Sequence, residues 1–146
     1  VARPDPAAFA TVDAAVRAYA GNGAIPTGYD GWTSAERQRF LDNIPKDRTA
    51  AQLAALDDAL GLSDTGNNEE LFLWLELALA NRYEPAVPQA EQFLSRVGRA
   101  KFVRPLFAVL MGEGEWGQPI ARRIYAETRD SYHAVTRAGV DRVIGG

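Results

Sequence analysis

The sequence predicts an all-α protein of about eight short helices joined in antiparallel pairs. Three observations predict it. Apolar residues recur at helical spacing along nearly the whole chain, Gly and Pro punctuate that spacing, and no segment holds a convincing period-two run. Helices this short, joined by tight turns, pack either as a closed bundle or as a short solenoid of stacked pairs. No fixed sequence period is visible, so any repeat is structural rather than sequential.

Phe9, Val12, Val16 and Tyr19 fall on one stripe of a first helix, which Gly21 and Gly23 stop. Pro26 keeps the following stretch, Ile25–Trp32, extended as a loop. Thr33 precedes Glu36 by three residues, a capping-box spacing that opens a second helix carrying Phe40, Leu41 and Ile44 and ending before Pro45. Thr49 and Gln52 repeat the spacing ahead of Leu53, Leu56 and Leu60, and Gly61 closes that third helix. Asp64–Asn68 is a polar turn suited to capping the next helix, 68–80, the most apolar of all. Asn81 ends it. Pro85 and Pro88 fall in the first turn of a fifth helix, where a missing N–H is tolerated, and Gly98 follows its end. A sixth helix covers about 99–111. Gly112, Gly114 and Gly117 separate it from a seventh at about 117–129, and an eighth covers about 130–143.

Composition bounds the chemistry. A chain of 146 residues with 47% hydrophobic and 24% charged side chains is long and apolar enough for a real core, which argues against disorder. Cysteine is absent, which removes disulfides and thiolate metal sites, and the single histidine, His133, rules out a site built on several imidazoles. No apolar run approaches the ~20 residues that span a bilayer, so no membrane partner is expected. The net charge of -3 argues against a nucleic-acid partner held by counterion release. The charge is uneven: residues 1–81 hold 6 basic and 12 acidic side chains, residues 82–146 hold 10 and 7. An anion is therefore better received by the second half. The chain opens on Val1 rather than Met, as a fragment of a longer polypeptide would.

Catalytic patterns are missing. There is no HExxH, no GxxxxGK[ST], no GxGxxG and no GxSxG, and no residue is assigned a catalytic or metal-binding role. His133 sits near a helix start and reads as a cap or packing residue. The neighbouring acids Asp57–Asp58 and Glu69–Glu70 point in different directions on their helices and read as solvated or helix-start charges. Trp32, Trp74 and Trp116 read as core or turn anchors.

One segment breaks a local rule. Arg99 and Lys101 stand at the start of the sixth helix, where the macrodipole is positive and cations lose roughly a few tenths of a kcal/mol each. Helix-start amides, Arg99 and Lys101 could converge on one carboxylate, Arg99 as a bidentate fork and Lys101 as a point charge. Two solvated cations beside acidic neighbours would give the same spacing. Arg104 precedes Pro105, which sits inside the helix and reads as structural.

The run Asn68–Leu110, NEELFLWLELALANRYEPAVPQAEQFLSRVGRAKFVRPLFAVL, resembles the C-terminal domain of the leukotriene A4 hydrolase and bacterial aminopeptidase family. The densest match is G-R-x-K-F-x-R-P-L at Gly98–Leu106. Tyr125–Thr136 is similar to the family's closing helices, with His133-Ala134 where the family usually has His-Pro, and the N-terminal third matches more loosely. The resemblance implies one helical domain over 1–146, a right-handed α-α superhelix of helix pairs, similar to armadillo or HEAT repeats. It implies a catalytic zinc domain elsewhere in the same polypeptide, with no cofactor in this chain. It also implies that Arg99 and Lys101 bind the carboxylate of a peptide substrate, because they match the motif's Arg and Lys. Ala100 stands where the motif commonly has Met, which leaves both cations in place. The alternative is a helical-repeat module for protein–protein interaction.

Overall fold

The computed structural model describes residues 6–145. All regular structure among them is helical, as the apolar spacing predicts. Eight α-helices are described: α1 (Pro6–Asn22), α2 (Ser34–Asn43), α3 (Ala50–Leu60), α4 (Asn68–Ala80), α5 (Val87–Arg96), α6 (Ala100–Gly112), α7 (Gly114–Thr128) and α8 (Ala134–Gly145). Short 3-10 turns lie at Tyr29–Gly31, Leu62–Asp64, Glu84–Ala86 and Arg129–Ser131. None of the described helices is long and apolar enough to cross a membrane. The contacts divide the chain into two units after Trp74, inside α4.

In the first unit α1 packs on α2. Both capping boxes form as their spacing predicts: the amide of Glu36 donates to Oγ1 of Thr33 and that of Gln52 to Oγ1 of Thr49. In return Oε1 of Glu36 accepts from the Thr33 amide and Oε1 of Gln52 from the Thr49 amide. Gly61 ends α3 in the left-handed region at φ +65°, a conformation that favours glycine. The polar turn caps α4 through Asn67, whose Oδ1 accepts from the Glu70 amide at 3.0 Å. Phe40, fully buried, gathers Tyr19, Tyr29 and Trp32 around it at ring distances of 6.1, 6.2 and 5.8 Å.

In the second unit α6 packs against both α7 and α8. The end of α4 closes with the amides of Arg82 and Tyr83 donating back to Leu79 and Ala78, and Arg82 takes the left-handed φ of +55° that glycine usually supplies there. Pro85 lies in the 3-10 turn ahead of α5, and only Pro88 sits in the first turn of that helix.

Two boundaries differ from the sequence reading. α7 begins at Gly114, three residues earlier than expected. Gly114 supplies the turn at φ +56°, whereas Gly117 lies within the helix where α7 meets α6. A Cβ on Gly117 would stand 2.0 Å from the carbonyl oxygen of Leu110, so this glycine permits close packing rather than breaking a helix. α8 begins at Ala134, because 129–131 winds as a 3-10 turn first.

Candidate anion site at the start of helix α6

The cations singled out in sequence sit where the rule-breaking was expected. Arg99 is the residue before α6, with extended backbone (φ -71°, ψ 127°) and no capping bond from its side chain. Its carbonyl accepts the amides of Phe102 and Val103 at 3.0 Å. Lys101 lies in the first turn, which holds no acidic residue. Both side chains are exposed. Arg99 makes no ion pair among the described residues, and Lys101 Nζ lies 4.8 Å from the centroid of the Phe102 ring. The first amides of a helix lack acceptors within it, so positive potential from backbone and side chains accumulates at this end.

The turn carrying these residues is fastened from the far end of the chain. Thr136 of α8 donates its hydroxyl to the carbonyl of Gly98 at 3.1 Å, and Tyr132 donates to the carbonyl of Leu94 at 2.7 Å. Phe93 and Phe102 meet edge-on across the turn at 5.8 Å. Sequence reasoning missed Tyr132 and Thr136, since each bond joins residues 38 apart and leaves no local signature.

Lys101, Arg104, Pro105 and Val143 line an open groove of about 310 Å3. Arg99 is outside that lining. The stem of Arg104 lies across α8 at Gly139, where an added Cβ would meet its Cδ at 2.7 Å. Arg104, read from the sequence as structural, therefore shares this groove with Lys101.

The other residues singled out in sequence are placed structurally. His133 is exposed ahead of α8, and its carbonyl accepts the amide of Arg137 at 2.9 Å. Asp57 accepts both the amide and the hydroxyl of Ser63, closing the turn after α3. Trp74 is fully buried, and Trp116 donates to Glu84 at 2.6 Å. The carboxylates that meet are not the adjacent ones: Glu91 and Glu127 share Arg123, at 3.0 and 3.8 Å. Hydrogen bonding between them pushes the Glu127 carboxyl up and, with Arg123, holds Glu91 down. Among the described residues no group of three or more His, Asp or Glu side chains could hold a metal ion. The donors present among them do not fit zinc.

Comparison with known proteins agrees with the sequence resemblance. A family described as leukotriene A4 hydrolase, C-terminal, matches residues 32–144. Leucine aminopeptidase 2 of Pyricularia oryzae is 31% identical over 119 residues, covering 80% of this chain and 19% of its own length. Leucine aminopeptidase 2 of Aspergillus niger is 34% identical over 91 residues, covering 62% of this chain and 14% of its own length. Native yeast leukotriene A4 hydrolase shares the fold with a TM-score of 0.73 at 19% identity, over 100% of this chain and 28% of that one. The chain thus spans about a fifth of the length of the curated relatives it matches. With 113 consecutive positions matched by one family, the chain belongs to the C-terminal family of leukotriene A4 hydrolase.

Proposed function

We propose that this chain is a single accessory domain of a zinc aminopeptidase, flanking the catalytic cleft and holding the carboxylate of a peptide substrate with Arg99 and Lys101. The observation that carries it is the start of α6: an extended Arg99, a first turn with Lys101 and no acid, and a turn pinned by Thr136 and Tyr132. An anion there meets the helix-end potential and two cations together. Holding the far end of a peptide lowers the cost of orienting its scissile bond, which the catalytic domain of the same polypeptide would cleave. Membership of a family with aminopeptidase relatives supports that partner.

A charge-assisted hydrogen bond contributes roughly 1.5–3 kcal/mol. In the full-length polypeptide, Arg99→Ala is therefore expected to lower kcat/KM about ten- to a hundredfold for peptides with a free C-terminal carboxylate. Neutral aminoacyl amides should be nearly unaffected. Equal losses on both substrates would overturn the role.

A further inference from the structure

The first unit holds a buried carboxylate with too few partners. Glu70, in the first turn of α4, is 2% exposed. Its amide is capped by Asn67, but no described residue hydrogen-bonds to its carboxylate. The facing cation is Arg37, whose Nη1 stands 3.6 Å away, outside hydrogen-bond reach. Arg37 is committed elsewhere: Nε donates to the carbonyl of Tyr29 at 3.0 Å and Nη2 to that of Asp30 at 2.6 Å. The Tyr29 hydroxyl is also buried without a partner. Burial, and then the Glu70 charge, push its pKa well above the ordinary value of 10, so it stays neutral.

These groups share a cavity. Tyr29, Arg37, Glu70 and Thr65 line about 190 Å3 of space. A neighbouring cavity of about 270 Å3 shares Tyr29, Asp30 and Leu60 with it and adds Ile25, Pro26, Thr27 and Ala59. The first is mostly polar, and the second is mixed, with an apolar wall at Ile25, Pro26, Ala59 and Leu60. Two acids, Glu70 and Asp30, stand beside one base, Arg37, whose Nε and Nη2 serve backbone carbonyls while Nη1 faces Glu70 at 3.6 Å. An anion would find little here. A buried carboxylate whose one cation stands beyond hydrogen-bond reach has room for a charged donor in contact, and a compact cation supplies one.

We infer that this pair of cavities binds a primary ammonium group carried on a short aliphatic body. The ammonium donates to Glu70 and to the Tyr29 oxygen, and the aliphatic body lies against Ile25, Pro26, Ala59 and Leu60. The site is independent of Arg99 and Lys101.

Isothermal titration of the chain with isopentylamine, set against isopentanol, tests it. Saturable binding of the amine is expected, at least about tenfold tighter than the alcohol, since a charge-assisted bond exceeds a neutral one by that margin. Glu70→Gln should weaken amine binding by a similar factor, with circular dichroism to verify the fold. Ala59→Trp fills the apolar part from an exposed position, leaves Glu70 in place and should also weaken the amine. No saturable amine binding, equal binding of the alcohol, or undiminished binding by Ala59→Trp or by a folded Glu70→Gln would overturn the inference.

Discussion

Gly117 and Gly139 both sit inside helices of the second unit, and sequence alone does not tell them apart. Their surroundings do. A methyl on Gly117 would strike the Leu110 carbonyl oxygen at 2.0 Å and the Leu110 carbonyl carbon at 2.9 Å, both backbone atoms that cannot swing aside. A methyl on Gly139 would meet only the flexible stem of Arg104. Gly117→Ala must separate α6 from α7 and is expected to cost about 3 kcal/mol. Gly139→Ala gains roughly 1 kcal/mol of helix propensity against the cost of moving Arg104, and should change stability by less than about 1 kcal/mol. Urea unfolding of both variants checks the contrast, and equal losses would contradict it. The sequence reading took Gly117 for a helix breaker because a glycine near other glycines gives the same local signal whether it turns the chain or admits a neighbour.

At the scale of elements, local signals were legible and long-range ones were not. Thr33, Thr49 and Gly61 act where their spacing says, because a cap involves only residues within one turn. The position of Arg99 and Lys101 at the start of α6 was readable for the same reason. The link between α7 and α8 was invisible. Tyr125 donates to Asp141, which also accepts from Arg129 at 3.2 Å. The hydrogen bond from Tyr125, followed by that from Arg129, holds the Asp141 carboxyl below its ordinary 3.8. A depressed carboxyl contributes stability above its unfolded value, and that contribution is lost as pH falls through the folded value. Burial, followed by the bond to Asp141, pushes Tyr125 from 10.0 up to about 12. A raised phenol contributes below 10 and loses that contribution as pH rises to about 12. The link should therefore weaken at both extremes. In chemical denaturation across pH, Asp141→Asn should flatten the loss below about pH 4 and Tyr125→Phe the loss above about pH 10. Asp141 is well exposed, so added salt should shrink the acid-side effect. A profile unchanged by both variants would show that the link contributes nothing.

Across the whole molecule, charge follows the division into units. Residues 1–74 hold 6 basic and 11 acidic side chains, whereas residues 75–146 hold 10 basic and 8 acidic. The first unit therefore repels a carboxylate and the second attracts one. The asymmetry was countable in the sequence, but its coincidence with a structural boundary was not, because α4 runs through that boundary with no linker composition to mark it. The same division sets the two proposed sites apart chemically. The under-partnered carboxylate of Glu70 suits a cation, and the start of α6 suits an anion. Exposed cations are screened beyond a Debye length, about 10 Å at 0.1 M salt and 3 Å at 1 M. A small carboxylate probe such as hippurate should therefore perturb amide resonances of 98–104 and leave those around Glu70 unmoved. Its apparent affinity should fall several-fold between about 0.02 and 0.5 M salt. Heteronuclear NMR titration at the two salt concentrations reads both effects. Shifts spread evenly over both units, or an affinity indifferent to salt, would show that the α6 end does not act as an electrostatic anion site.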